Sequence, residues 1–275
     1  MKKKISIFIF ALVALCGVQS VKAWSLFEHG AIVYVAEQHL TPEAKAKCRY
    51  YLKHTLPYYS TWMDLWRGVA KYKDINNPHT IQEAADGNLD WSERSTPPGR
   101  VMGHLQNALD ELGNGKYKNL PDSVVRQRII NMLHYIPDMH CPVHVKLNAY
   151  PAGSRKIYRN GKPADLHGYW DGISGRMRRG YTFERYAAEV DNVSPKQVKR
   201  WQKGTLDDWG KDCIDCAYRA DALTPHGTDV GKFTEEQKRE VLALADLTAM
   251  MAAYRLAHVL NTIFADGNIP ITNKK

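Results

Sequence analysis

The sequence predicts a mainly α-helical protein, a single-domain bundle of many helices with one short β-hairpin. Apolar residues recur at helical spacing over 101–112 and again over 129–136. The one clear β signal lies in residues 155–162, where Asn160-Gly161 favours a two-residue hairpin turn. The 275 residues, 44% of them hydrophobic, can bury a full core within one large domain. We find no internal repeat, no low-complexity segment and no linker that would separate two domains.

The N-terminal segment has the order of an export signal. Three lysines at positions 2–4 precede an apolar run from residue 5 to about residue 17, and Ala23 ends a plausible cleavage site. The run is too short to remain as a membrane span, and Leu15 is too bulky to precede a lipidated Cys16. We expect residues 1–23 to be a signal peptide and 24–275 the mature domain. The mature protein would then be a periplasmic or secreted monomer without an integral membrane segment.

Charge and cysteine content follow from that expectation. The whole chain carries a net charge of +9. Loss of four lysines with the signal would leave 34 basic and 29 acidic residues, a modest excess that suits a polyanionic partner and is also common among exported proteins. Cys48, Cys141, Cys213 and Cys216 would remain. Because no second cysteine pair stands at zinc-ribbon spacing, Cys213 and Cys216 favour a local disulfide over a zinc knuckle.

Two helix starts are explicit in the sequence. Thr41 followed by Pro42 is an N-cap with proline at the first helical position. Thr234 with Gln237 three residues later is a capping box, and the apolar-rich stretch behind it continues to about Phe264 without proline or glycine. The sequence therefore predicts a helix after Thr41 and a long C-terminal helix.

Histidine and aspartate carry the chemical signal. His134 and Asp138 are four residues apart, as are His167 and Asp171, so on a helix each pair shares one face and can converge on one ion. His144 follows the first pair. Taken alone, the two pairs could equally be His–Asp contacts at the surface. Four further candidate ligands lie outside these segments: Asp64, His79, His29 and Trp24, whose α-amino group would be free after cleavage.

These ordered residues resemble the zinc-dependent, single-strand-specific nucleases of the S-one/P-one family, which is distantly related to bacterial zinc phospholipase C. The resemblance spans nearly the whole mature chain and implies the helical phospholipase C/nuclease type of fold. The matching segments are 24–29, 62–64, 134–144, 166–171, 254–257 and 260–261.

The resemblance implies a centre of three zinc ions. Asp64, His79 and His134 would hold one ion, with His104 as the reserve candidate for His79. The amino nitrogen and carbonyl oxygen of Trp24 would hold a second ion together with His29. Asp138 would bridge these two ions, and the third would be held by His144, His167 and Asp171. Nitrogen and oxygen ligands without a thiolate are typical of catalytic zinc.

The activity that the resemblance implies is that of an endonuclease on single-stranded DNA and RNA, which also removes 3′-phosphates from nucleotides. A metal-bound hydroxide would attack phosphorus. We expect Asp64, Asp138 and Arg67 to carry catalysis, Arg67 by stabilising charge on the phosphate, although it could also be a solvated surface arginine. Single-stranded nucleic acid and 3′-nucleotides would be the substrates.

The sequence departs from the family pattern at three positions. Thr80 stands where the family has an aromatic that stacks on the base, and Gln82 replaces an acid that reads the base edge. Pro137 lies inside the predicted ligand helix, where proline removes a backbone hydrogen bond. Two other functions remain open: a zinc phospholipase C, which shares the ligands, and an exported zinc-binding protein without catalytic activity.

Overall fold

Helices make up most of the fold. The computed structural model describes residues 26–69, 79–91, 101–150, 154–267 and 269. Within these residues, and in agreement with the mainly α, single-domain prediction, the α-helices are α1 (Leu26–Gln38), α2 (Pro42–Leu52), α3 (Trp62–Trp66), α4 (Val101–Leu112), α5 (Asp122–His140), α6 (Leu166–Asp171), α7 (Ile173–Met177), α8 (Phe183–Val190), α9 (Pro195–Gln202), α10 (Leu206–Leu223) and α11 (Glu235–Phe264). None of them is both long and apolar enough to cross a bilayer.

The longest helix, α11, is the central element of the bundle. The backbone N–H of Gln237 donates to the Thr234 hydroxyl at 3.2 Å, and the Thr234 N–H donates to the Gln237 side chain at 2.9 Å, so the capping box is confirmed. From residue 248 onward nearly every side chain of α11 is buried, as expected of a helix surrounded by others. It packs against α1, α2, α5, α7, α9 and α10.

Helix α5 carries two of the candidate ligands and is buried over most of its length. All its residues from Ile129 to His140 are buried, and α5 packs against α4, α11, α2 and α1. The helix continues through Pro137 to His140. His134 and Asp138 therefore lie one turn apart on one helical face, as their spacing predicts.

The predicted hairpin is present. Strand β3 (Ile157–Arg159) pairs antiparallel with β4 (Lys162–Ala164). Asn160 and Gly161 between them have φ values of 53° and 76°, the left-handed conformation that a type I′ turn requires. The predicted segment was 155–162, and the second strand extends two residues further.

A second pair of strands was not predicted. Strand β1 (Ile81–Gln82) pairs in parallel with β2 (Val145–Lys146), with Ile81 opposite Val145. The pairing is long-range and each strand has two residues, too few for an alternating pattern. Its consequence is positional: His79 precedes β1 by two residues and His144 precedes β2 by one, so the pairing brings both histidines to the same place.

The predicted disulfide between Cys213 and Cys216 is absent. Both are buried, free thiols in the middle of α10. Residues three apart on a helix have Cβ atoms about 5–6 Å from each other, whereas a disulfide needs a separation of about 3.5–4.5 Å. The continuous helix, which the cysteine spacing alone did not reveal, therefore keeps the two sulfur atoms apart.

Gly30 allows α1 and α8 to approach each other closely. A Cβ atom at position 30 would collide with the ring of Phe183, which also contacts the rings of Phe27 and Tyr34 at centroid distances of 5.9 and 6.4 Å. Since His29 is the neighbouring residue, this packing contributes to the position of a candidate ligand.

Gly30→Ala should therefore destabilise the protein, although alanine favours helices. Overpacking costs about 1–3 kcal/mol, more than the gain of up to about 1 kcal/mol in helix propensity. In a Phe183→Ala background the ring is gone and Gly30→Ala should become stabilising. Urea unfolding with a chelator present would measure both changes, and the same sign in both backgrounds would contradict this account.

Candidate metal centre

Asp138 lies at the middle of a cluster of histidines. Its Oδ2 is 2.9 Å from Nδ1 of His79 and 3.2 Å from Nε2 of His134. Its Oδ1 is 3.3 Å from Nε2 of His29 and 3.4 Å from Nδ1 of His144. Asp138 and His29 have no exposed surface at all. One buried carboxylate therefore faces four imidazoles that come from α1, α5 and the segments before β1 and β2.

On one side of Asp138, three side chains converge. Asp64 Oδ1, from α3, is 3.7 Å from Nε2 of His134 and 3.8 Å from Nδ1 of His79. The two imidazole nitrogens are 2.9 Å apart. Nδ1 of His134 donates to the carbonyl oxygen of Ser60 at 2.8 Å, which leaves its Nε2 as the atom available to a ligand. The structure brings together the first predicted set, Asp64, His79 and His134.

The second group joins α1 to α5. The rings of His29 and His134 stack with a centroid distance of 4.4 Å and an angle of 8°. Together with Asp138 they form a second set of donor atoms close enough to share one ion. Trp24, the predicted partner of His29, lies outside the described residues, as does the predicted signal peptide.

The third group lies on the other side of His144. Nε2 of His144 is 3.0 Å from Nε2 of His167 and 3.5 Å from Oδ1 of Asp171. Nε2 of His167 is 2.9 Å from Oδ2 of Asp171. The thiol of Cys141 donates to Oδ1 of Asp171 at 3.1 Å. The structure thus assembles the third predicted set and adds Cys141, which we did not expect there because a single cysteine has no spacing signal.

The buried polar atoms of these groups fit divalent metal ions. Both ring nitrogens of His29, both carboxylate oxygens of Asp138, Nδ1 of His144 and Oδ2 of Asp171 are buried and make no hydrogen bond. Their short mutual distances therefore lack hydrogen-bond geometry. Burying polar atoms without partners is costly and uncommon. A cation that accepts all these lone pairs removes the cost, and imidazole with carboxylate is a donor set that suits zinc.

Burial and neighbouring charges shift the pKa values of the residues in this cluster. Burial would raise the pKa of Asp138, but the histidines around it outweigh this and hold it well below its usual range. Burial lowers the pKa of His79 to about 4, so its ring is neutral at physiological pH. Burial also acts to lower the pKa of His134, yet the attraction of Asp138 raises it to about 9. Metal binding would then displace a proton from His134.

Arg67 and His104 have different surroundings. Nη2 of Arg67 donates to Oδ1 of Asp64 at 2.8 Å and lies 2.7 Å from Nδ1 of His79. Arg67 therefore contacts the cluster, while 30% of its side chain is exposed. His104 instead stacks on Tyr135, with a ring-centroid distance of 5.2 Å. The structure places His79, and not His104, beside Asp64.

A cavity of about 820 Å³ opens next to His167. Thr80 and Gln82, the two positions that depart from the family pattern, line its wall. Two lysines, Lys146 and Lys156, add positive charge to the same wall. Arg155 and Asp165 line it as well, so the wall carries three cationic side chains and one acidic one.

Comparison with known proteins agrees with this arrangement. A family model described as S1/P1 Nuclease matches residues 24–265. The chain is 24% identical over 271 residues to Nuclease PA3 of Penicillium sp and, separately, to Nuclease P1 of Penicillium citrinum. Each alignment covers 87% of this chain and 97% of the relative. The chain belongs to the S1/P1 nuclease family.

Proposed function

We propose that the protein is an exported, zinc-dependent phosphodiesterase that cuts single-stranded DNA and RNA and removes 3′-phosphates from nucleotides. Its family supports a nuclease, a hydrolase of phosphodiester bonds. The observation that carries the metal dependence is the set of buried donor atoms around Asp138 without hydrogen-bond partners. Export by removal of residues 1–23 and action as a monomer belong to the same proposal.

Three zinc ions would be held by the groups described above. When bound, they would activate water for attack on phosphorus and neutralise the charge of the phosphate. In the proposed assignment, Asp138 belongs to two ions, and each ion also has its own set of ligands. These sets are Asp64, His79 and His134 for the first ion, Trp24 and His29 for the second, and His144, His167 and Asp171 for the third.

The remaining tasks fall to residues that orient and balance charge. Ser60 fixes the ring of His134 through its carbonyl oxygen. Arg67 is held by Asp64 beside the cluster, where its guanidinium can bind non-bridging phosphate oxygens and stabilise charge that develops on them. Asp138 stays ionised in this surrounding.

The cavity beside His167 suggests how a nucleotide would be held. Thr80 offers no ring for a base to stack on, while Lys146 and Lys156 attract phosphate. Tyr150 also lines the cavity, and the guanidinium of Arg155 lies 5.2 Å from the centre of its ring. We infer that binding depends more on phosphate than on the base.

One purified, zinc-loaded sample should be tested on single-stranded DNA, 3′-AMP and phosphatidylcholine. We expect turnover of the first two, and its loss after removal of zinc with a chelator. Turnover of the phospholipid alone would favour a phospholipase C, which can share these ligands. Zinc binding without turnover of any of the three would favour a zinc-binding protein and overturn the proposed function.

Asp138→Asn should lower kcat/KM on single-stranded DNA by more than about 100-fold, beyond the loss typical of a residue that only supports a ligand. Asparagine keeps the shape of the side chain but removes the charge that two ions would share. The occupancy of both of these zinc sites should therefore fall. Asp171→Asn is the matched control and should release mainly one ion. Elemental analysis with kinetics measures both effects, and equally mild changes would contradict the bridging role.

Thr80→Phe should lower KM for 3′-AMP between about fivefold and about 150-fold, because stacking on a base contributes about 1–3 kcal/mol. The value of kcat should change little, since the new contact lies away from the reacting atoms. Thr80→Val is the control: the Thr80 hydroxyl is buried without a hydrogen-bond partner, so its loss should be nearly neutral. An unchanged KM for Thr80→Phe would show that the base does not reach this wall.

A further inference from the structure

Cys141 occupies a junction between three segments that carry candidate ligands. Its backbone N–H donates to the carbonyl oxygen of Asp138 at 3.0 Å, and its own carbonyl accepts from the N–H of His144 at 2.9 Å. Its thiol donates to Oδ1 of Asp171 at 3.1 Å. The first two contacts are made by backbone atoms and do not involve the thiol. Only the third depends on the thiol.

Because of that third contact, the two oxygens of the Asp171 carboxylate have different surroundings. Oδ1 receives the thiol and lies 3.5 Å from Nε2 of His144, whereas Oδ2 is buried without a hydrogen bond and lies 2.9 Å from Nε2 of His167. Asp171 is only 4% exposed, so water does not replace a missing donor readily. A carboxylate with one oxygen fixed in this way presents the other in a defined direction, the usual task of a donor behind a metal ligand.

We propose that Cys141 is a positioning residue for the third metal ion: its S–H group fixes the Asp171 carboxylate so that Oδ2 faces Nε2 of His167 and Oδ1 stays beside Nε2 of His144. This inference rests on the metal-binding part of the proposed function. The thiol acts as a hydrogen-bond donor and not as a ligand, because it is directed at a carboxylate oxygen at hydrogen-bond distance. It acts on metal affinity through Asp171 and does not touch the substrate.

Two substitutions at position 141 separate the donor from the volume of the side chain. Cys141→Ala removes the donor, whereas Cys141→Ser keeps one on a shorter bond. Cys48→Ala is the control, since Cys48 is a fully buried thiol on α2 that belongs to none of the metal-binding groups. Each full mature protein would be equilibrated with zinc at graded chelator concentrations, and bound zinc measured by elemental analysis alongside circular dichroism.

Cys141→Ala should weaken the binding of one zinc ion by about 10- to 100-fold while the others stay bound. Cys141→Ser should lie closer to wild type than to Cys141→Ala, and Cys48→Ala should bind zinc as wild type does. Zinc binding by Cys141→Ala that equals that of Cys48→Ala would overturn the inference. So would an equal loss in the serine and alanine variants.

A second measurement uses the wild-type protein and does not depend on whether a variant folds. Protein loaded with Co²⁺ should lack the intense near-ultraviolet absorption of a thiolate bound to cobalt, and its presence would make Cys141 a ligand and refute the positioning role. Wild-type protein that binds no zinc would overturn the proposed function together with this inference. Normal zinc binding and nuclease activity with indifferent variants would overturn the inference alone.

Discussion

The burial of the Asp138 carboxylate is the constraint on which the rest of the site depends. Removing a carboxylate from water costs free energy, which well-oriented charged or hydrogen-bonding partners usually offset. Here four imidazoles approach to within 3.4 Å, yet neither carboxylate oxygen makes a hydrogen bond. The histidines stabilise the charge of Asp138 but leave the lone pairs of both oxygens without hydrogen bonds, and the proposed cations would accept them.

The fold provides those surroundings by joining distant parts of the chain. Helix α5 packs against α4 and α11, and it places His134 and Asp138 one turn apart. Helix α1 packs on α11 and brings His29 against the ring of His134. The two-residue pairing of β1 with β2 then aligns the segments that carry His79 and His144. Each contact is modest, but together they direct the side chains toward one point.

The sequence predicted correctly those features that depend on interactions between neighbouring residues. The caps at Thr41 and Thr234 and the turn at Asn160-Gly161 were correct because a few neighbouring residues determine them. The pairing of β1 with β2 joins residues more than 60 positions apart and leaves no local pattern. The cysteines also could not be interpreted from local sequence. The spacing of Cys213 and Cys216 does not reveal that both lie on one helix, and no residue near Cys141 indicates its contact with Asp171. Spacing put His79 ahead of His104, and in the structure Nδ1 of His79 lies 3.8 Å from Oδ1 of Asp64 and 2.9 Å from Nε2 of His134.

The contact of α1 with α11 has a consequence for folding while the chain is being synthesised. His29 lies near the beginning of the described residues, and the helix against which α1 packs ends at Phe264. A growing chain that has not yet produced α11 therefore lacks the support that holds His29 in place. This support of His29 is therefore complete only after nearly the whole polypeptide has been made. An enzyme of this proposed kind would consequently gain its full activity late in folding, when few unfinished chains could act on the nucleic acids of the cell that makes it.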